Sequence, residues 1–380
     1  MKALKMFKTR FAATLAAALM LTGCMQDATK SADQVAAEKA QVENEQAIID
    51  NIADNVIVAT YRDIVARTTE MADLARTLQK NPTAENLLAI QNKWREARVP
   101  WESSESFVFG PGVETDPTVD SWPLSITDLH TLLVREPNIS LDRVRRLPDG
   151  LKGFHTAEYL IFGDGVKDNQ KSIQEMTAGE MTYLISVTTV LQESFQTLYS
   201  RWTVTHDASN ATAPAYVTML KNPGKSISSF NSTKAVLAQI VAAMAKIATE
   251  VGSTKIDTPL GGDIGSADPS QVESQFSWNS LADFGNNVQS LRNVYTGDYN
   301  GHEGPGLDVI VKAKNAALDA RFRAQLDKAE AAIRNIAGPE GLSYTLAIQN
   351  PAARNRARVA ITEMKTLEDM IINELTPAVQ

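Results

Sequence analysis

One cysteine, Cys24, stands in 380 residues. A chain with a single thiol forms no internal disulfide and builds no multi-thiolate zinc site, so stability has to come from core burial. Histidine is almost as scarce, with four in the chain. No His-Glu-x-x-His occurs, and no His-x-x-Glu-His, because Tyr159 follows Glu158. The two-histidine signatures of zinc peptidases are therefore missing. Gly261-Gly262-Asp263-Ile264-Gly265 lacks the lysine of a phosphate-binding loop, and there is no serine nucleophile elbow. Positive charge is also in deficit: the net charge is −8, and the first 23 residues hold four cations and no acid, so the chain from Cys24 onward carries −12. That balance argues against a nucleic-acid partner. It fits cationic partners or simply solubility.

The amino-terminal layout is specific. Lys2, Lys5, Lys8 and Arg10 precede an apolar run, Phe11 to Met20, that is too short to span a bilayer. This is the layout of a secretory signal. Leu21-Thr22-Gly23-Cys24 resembles the bacterial lipobox, which implies cleavage before Cys24 and lipid on its sulfur. A lipid-anchored protein of the cell envelope is expected. Met25 after Cys24, where an Asp would signal inner-membrane retention, points by analogy to the outer membrane. Residues 1–23 then form a signal peptide and 24–46 a polar tether rich in Ala, Glu, Gln and Lys.

The remainder reads as helix after helix. Ile48, Ile49, Ile52, Val56, Ile64 and Val65 keep near-helical spacing, continued by Met71, Leu74 and Leu78. Asn81-Pro82-Thr83 stops that helix, and Thr83 is placed to cap the next, through Leu87, Ile90 and Trp94. An irregular stretch is expected over 110–123, with Gly110, Pro111, Gly112, Pro117 and Pro123. Further helices are expected at 125–134, 153–162, 172–203, 226–251, 270–295, 306–336 and 351–375. The fold class is all-α: two helical-bundle domains, 47–205 and 225–380, joined by a linker at 206–224. "NKWREARVPWESSESFVFG" and "SQFSWNSLADFGNNVQSLRNVYTG" share a Trp, Phe, Gly order that hints at a diverged duplication of a four-helix bundle.

Chemistry concentrates in the first half. "GFHTAEYLIFG" places His155 and Glu158 one helical turn apart on one face, where they can share an ion or simply bond each other. In "WREARVPWESSE", Trp94, Arg98, Trp101 and Glu105 fall on one helical face, with Glu102 beside them. Pro100 should break or kink that helix. The alternative is an amphipathic helix with an Arg98–Glu102 pair. Glu114 and Asp116 read as a solvated turn, whereas Asp120, just before Trp122-Pro123, is the better candidate. The working set is Glu102, Glu105, Asp120, His155 and Glu158 around one cation. Four carboxylates and an imidazole suit iron first, then manganese, calcium or zinc.

These blocks together resemble the imelysin family. "GFHTAEYLIFG" matches its Gly-x-His-x-x-Glu motif, "WREARVPWESSESFVFGP" its Trp-x-x-x-Arg-x-Pro-Trp-Glu-x-Ser-Glu block, and "VESQFSWNSLADFGNNVQSLRNVYTG" its second-half block, over about residues 48–375. The resemblance implies two helical bundles with a site at their junction, in an envelope protein of iron acquisition. His155 and Glu158 would be metal ligands, and Trp94, Arg98, Trp101, Trp278 and Asn279 would line a cleft. Iron, zinc or another divalent cation, an iron-bearing ligand, a membrane reached through lipid on Cys24 and an iron-uptake protein are the implied partners. A metallopeptidase is the alternative reading, and a surface protein that binds an organic ligand or another protein at the junction is a third.

Overall fold

The computed structural model describes residues 31–380. The expected leader, Cys24 and the first residues of the tether lie outside the described residues. Residues 42–380 form one compact unit, and the described residues before Val42 fall outside it. Among the described residues the only β-pairing is an isolated bridge between Tyr299 and His302, and the fold is all-α.

The rest of the supposed tether is not loose chain. Helix runs from Ala32 to Asn51, since Ala, Glu, Gln and Lys are strong helix formers. At its end Glu45 is buried and accepts a hydrogen bond from the Thr233 hydroxyl.

In the first half, helix Ala59–Lys80 packs against both Ala84–Glu102 and Ala178–Thr203, and Gly153–Phe162 fills the space between the last two. Thr83 caps Ala84–Glu102 through Asn86 N, as its spacing predicts. In the second half, Thr233–Glu250, Ser280–Thr296, Ala316–Asn335 and Pro351–Met370 pack on one another. Ser280–Thr296 also lies against Ala84–Glu102, which joins the two sets of helices.

Several boundaries differ from those the sequence suggests. The stretch 110–123 holds a helix, Pro111–Val119, because its proline occupies the first turn, where no amide donor is needed. Ala84–Glu102 continues past Pro100 and stops at Glu102, so Glu105 sits on a separate 3-10 turn, Glu105–Phe107. The expected helix from 270 starts only at Ser280. The expected helix 306–336 is interrupted at Asn315, whose side chain caps Ala316–Asn335 through Leu318 N. The helix expected to end at 251 starts at Thr233 and passes into a π-helical segment, Val251–Asp257, then on to Leu260.

Thr233–Leu260 is long and apolar enough to cross a membrane by composition. Val236, Ile240, Met244 and Ile247 on it are nevertheless core residues of the second half.

Candidate metal centre

The centre is assembled where the two sets of helices meet. Arg98, on the last turns of Ala84–Glu102, is fully buried. Its guanidinium pairs with Glu102 and Asp120 and lies 3.0 Å from Glu273 Oε1 and 3.3 Å from Asp283 Oδ2. Burial alone would lower its pKa, but the carboxylates of Asp120, Asp283, Glu102 and Glu273 raise it well above the usual value. Lys255 is the second buried cation. It is carried on the π-helical segment, and its Nζ lies 2.8 Å from Glu273 and 3.3 Å from Glu102. Segments of this kind recur at functional sites because the extra residue re-aims side chains.

His155 enters from Gly153–Phe162. Gly153 makes the approach possible: its φ is +83°, and a Cβ there would sit 2.5 Å from the Val119 carbonyl oxygen. The first turn of this helix therefore packs directly on the end of Pro111–Val119, where Asp120 follows. His155 Nδ1 lies 2.8 Å from Glu158 Oε2, and Nε2 lies 3.1 Å from Asp120 Oδ1 and 4.0 Å from Glu273 Oε1. Nε2 is buried and makes no well-directed hydrogen bond. Burial would lower the imidazole pKa, but bonding to Asp120 and Glu158 lifts it to about 10.

Glu158 is therefore not aimed at the same point as Nε2. It holds the ring through Nδ1, and its other oxygen accepts from Ser277 N and Ser277 Oγ, each at 2.7 Å. A carboxylate on the far nitrogen is the usual way to fix the orientation and basicity of a ligating histidine. The atoms that do converge belong to Asp120, His155 and Glu273, all within 4.8 Å of one another and all buried. Asp120 is held from the other side by Trp101 Nε1 at 2.6 Å.

Of the residues singled out in the sequence, Asp120, His155, Glu158, Glu102 and Arg98 meet here. Glu102 is bound to Arg98, Lys255 and Asn287 Nδ2 and is not open to the converging point. Glu105 lies apart, in a pocket reached from Asp120. Trp94 and Trp101 are wholly buried and line no open cleft: Trp94 packs on Phe154 and Phe162, and Trp101 on Phe195. Asn279 donates to Asp283 at 2.7 Å, and Trp278 donates to the Gly165 carbonyl at 2.8 Å. Glu114 is exposed and pairs with Arg201, as a solvated position should, whereas Asp116 is half-buried. The other histidines bond elsewhere: His130 to the Tyr159 hydroxyl, His206 to the Pro214 carbonyl and His302 to the Asn51 side chain.

Sequence reasoning missed Glu273 and Lys255. Glu273 opens a chain of turns, not a helix, in which Ser274 and Trp278 both take positive φ, 53° and 62°. Such conformations in non-glycine residues cluster at functional sites. The one signal was an acid at the head of the block "VESQFSWNS". Lys255 was recognisable only as the one cation beyond Lys246 in an apolar helix.

Four carboxylates, those of Glu102, Asp120, Glu273 and Asp283, thus surround two permanent cations in a water-excluded space, and a fifth, Glu158, holds His155. Burial raises the pKa of Glu273, and lifts Glu102 to about 7 and Asp283 to about 6, with Arg98 opposing in each case. The excess negative charge, the converging oxygens and the poorly satisfied Nε2 fit a cation with oxygen and nitrogen ligands.

The imelysin family model matches residues 57–371. Iron-regulated protein A of Synechococcus elongatus is 29% identical over 335 residues, which cover 87% of this chain and 86% of that one. The crystal structure of a chain described as an iron-regulated protein A precursor from Parabacteroides distasonis superposes with a TM-score of 0.71 at 27% identity, over 86% of this chain and 95% of that one. An imelysin-like protein from Psychrobacter arcticum shares the fold, with a TM-score of 0.68 at 16% identity over 89% and 96% of the two chains. On the family match, which spans most of its length, this chain belongs to the imelysin family.

Proposed function

We propose that this chain binds iron, or a similar divalent cation, through Asp120, His155 and Glu273 for metal acquisition, as a lipid-anchored protein of the bacterial envelope. The observation that carries the reading is the convergence of two carboxylates on His155 Nε2, a buried nitrogen left without a well-directed hydrogen bond. The iron-regulated relatives support iron as the cargo. Lipid attachment at Cys24 rests on the lipobox resemblance, and a lipid carrying several acyl chains is enough to anchor a protein stably.

With its pKa raised to about 10, the imidazole carries a proton on Nε2 at neutral pH. A cation has to displace that proton, so affinity should rise with pH as proton competition falls. Arg98 and Lys255 limit the charge repulsion among the carboxylates without reaching full neutrality. Glu158 and Ser277 hold the ring in place.

Binding is favoured over peptide hydrolysis on spatial grounds. Asp120, His155 and Glu273 are only 4%, 2% and 0% exposed. The pocket that reaches Asp120 has a volume of about 190 Å³, small for a peptide and its attacking water.

The test is calorimetric titration of the purified protein with ferrous, ferric and zinc ions, beside His155→Ala and Glu158→Ala. Tight binding by the parent, lost in His155→Ala with helical content retained, is the expected result. Binding that survives in His155→Ala would remove the centre from consideration. Glu158→Ala should weaken binding about 10–100-fold without abolishing it, since it acts through the ring.

A further inference from the structure

The centre is covered by a side chain that no hydrogen bond fastens. Trp122 lines the pocket of about 190 Å³ that reaches Asp120, and it is the one aromatic residue there. His155 and Glu273 do not line that pocket. They lie behind the indole. Its ring meets the His155 imidazole edge to face, with centroids 6.4 Å apart and planes at 61°, and Lys255 Nζ sits 5.5 Å from its centroid. Lys255 in turn holds Glu273. The ring thus stands between the pocket and two of the three converging ligands, half-buried itself while both of them are buried.

The other indoles are held differently. Trp94, Trp101 and Trp278 donate Nε1 to fixed acceptors, the Phe154 carbonyl, the Asp120 carboxylate and the Gly165 carbonyl. Trp202 is wholly buried. Trp122 donates to no acceptor among the described residues. Its backbone is no better tied: Ser121, Trp122 and Pro123 make no hydrogen bond among the described residues, in the connection between Pro111–Val119 and Ile126–Arg135. Both ends of this stretch are fixed, Asp120 by Arg98 and Trp101 and Leu124 by burial in the core. A cation–π contact and an edge-to-face contact hold the indole, and each is weak. Segments with so few hydrogen bonds open locally at low cost. A ring on such a stretch can swing while the ligand beside it, Asp120, stays in place.

We propose that Trp122 is a door over the His155 centre, which swings aside to admit the cation and returns to shut it from water. The inference rests on the metal-binding reading above and adds to it a residue that sets how fast the ion enters and leaves, not how tightly it is held. Closure of this kind controls exchange without supplying a ligand.

The experiment follows cobalt(II), whose visible absorption reports its own coordination, into and out of the purified protein by stopped flow. The parent, Trp122→Ala and Trp122→Phe are mixed with cobalt(II) for the entry rate, and the loaded proteins with excess EDTA for the release rate. Trp122→Ala should speed both by at least about tenfold and leave the equilibrium Kd within about threefold, since a door acts equally in the two directions. Trp122→Phe keeps a ring over His155 and should stay within about threefold of the parent in both rates. Parent-like rates in Trp122→Ala overturn the door and leave metal binding standing. Faster release with unchanged entry and a weaker Kd also overturns it, because that is the mark of a side chain that only braces the bound state. A parent that binds no cobalt(II) removes the metal-binding reading and the door with it. If Trp122→Ala loses its helical signal, Trp122→Val serves with the same expectation and the same overturning results.

Discussion

Arg98 and Arg354 are the two buried arginines among the described residues, 0% and 2% exposed, and they are satisfied in opposite ways. Arg354 donates only to neutral acceptors: the carbonyls of Leu260 and Ile348 through Nη1, and of Gly261 through Nη2. It ties the turn after Leu260 to the start of its own helix, and its fork uses up the acceptors around it. Arg98 faces four carboxylates, more than one guanidinium can neutralise. A residue that only braced the fold would not need that surplus. The surplus is what the proposed cation would meet at the Arg98 region, whereas the Arg354 region is a clasp with its charge bonded to carbonyls.

The sharpest way to break this contrast is to remove each guanidinium while keeping its bulk. Arg98→Met should destabilise the protein by about 3–5 kcal/mol, because several carboxylates lose their main counter-charge in the interior. Urea unfolding measures it. Added manganese(II) should recover part of that loss, since carboxylates freed from Arg98 can take a cation. A variant as stable as the parent would mean that those carboxyls are neutral and that Arg98 is as much a clasp as Arg354.

Next in size is a pH effect confined to the centre. Glu102 and Asp283 titrate near 7 and 6 in the fold, against about 4.3 and 3.9 in an unfolded chain. The folded state therefore holds more protons than the unfolded state between about pH 4 and 7, and stability falls as pH rises through that window. His155, lifted to about 10, adds stability that is fully present below about pH 6.5 and is lost as pH rises toward 10. Asp120 is lowered, chiefly by Arg98 and His155 against its burial, and works the other way only in acid, below its unfolded value. The metal-free protein should thus lose on the order of a few kcal/mol between pH 5 and 9. Glu102→Gln/Asp283→Asn should flatten the acid half of that slope. A midpoint of thermal unfolding that rises over this range would reverse the assignment.

Arg354→Met comes third, at about 1–3 kcal/mol, the cost of leaving backbone acceptors unbonded. Its loss should be insensitive to manganese and should leave the metal titration as in the parent. A change in metal affinity would blur the distinction between clasp and centre.

The halves of the molecule were unequally legible. Helix periodicity from Ile48 to Leu78, the Thr83 cap and the Gly-x-His-x-x-Glu run could be read because each signal is local. Glycine at 153 could be read as a close approach, but what it approaches, the Val119 carbonyl, could not. The residues that complete the centre come from far along the chain: Glu273 lies 175 positions from Arg98, and Lys255 lies 153 from Glu102. Nothing in the local pattern of either pointed to the other half. The turns at 272–279 were hidden for another reason. Val272 and Phe276, four apart, imitate a helical face, while Ser274 and Trp278 adopt left-handed backbone that only tertiary contacts sustain. Glu158 was legible as a partner of His155 but not as the residue that turns the ring, because spacing gives proximity and not direction.

The smallest expected effect separates two acids of one short segment. Glu114 and Asp120 are six residues apart on and after the helix Pro111–Val119, and in sequence either can serve as an oxygen ligand. Glu114 is exposed and paired with Arg201, and water and salt screen both charges. Glu114→Gln should therefore leave metal affinity within about twofold of the parent and the unfolding midpoint unchanged. Asp120 sits between Arg98, Trp101 and His155 at 4% exposure, and Asp120→Asn removes both a donor oxygen and the group that holds the imidazole proton. Its affinity should fall by far more than that of Glu114→Gln in the same calorimetric titration. Equal effects would mean that general acidity of the segment, and not the geometry at Asp120, attracts the cation.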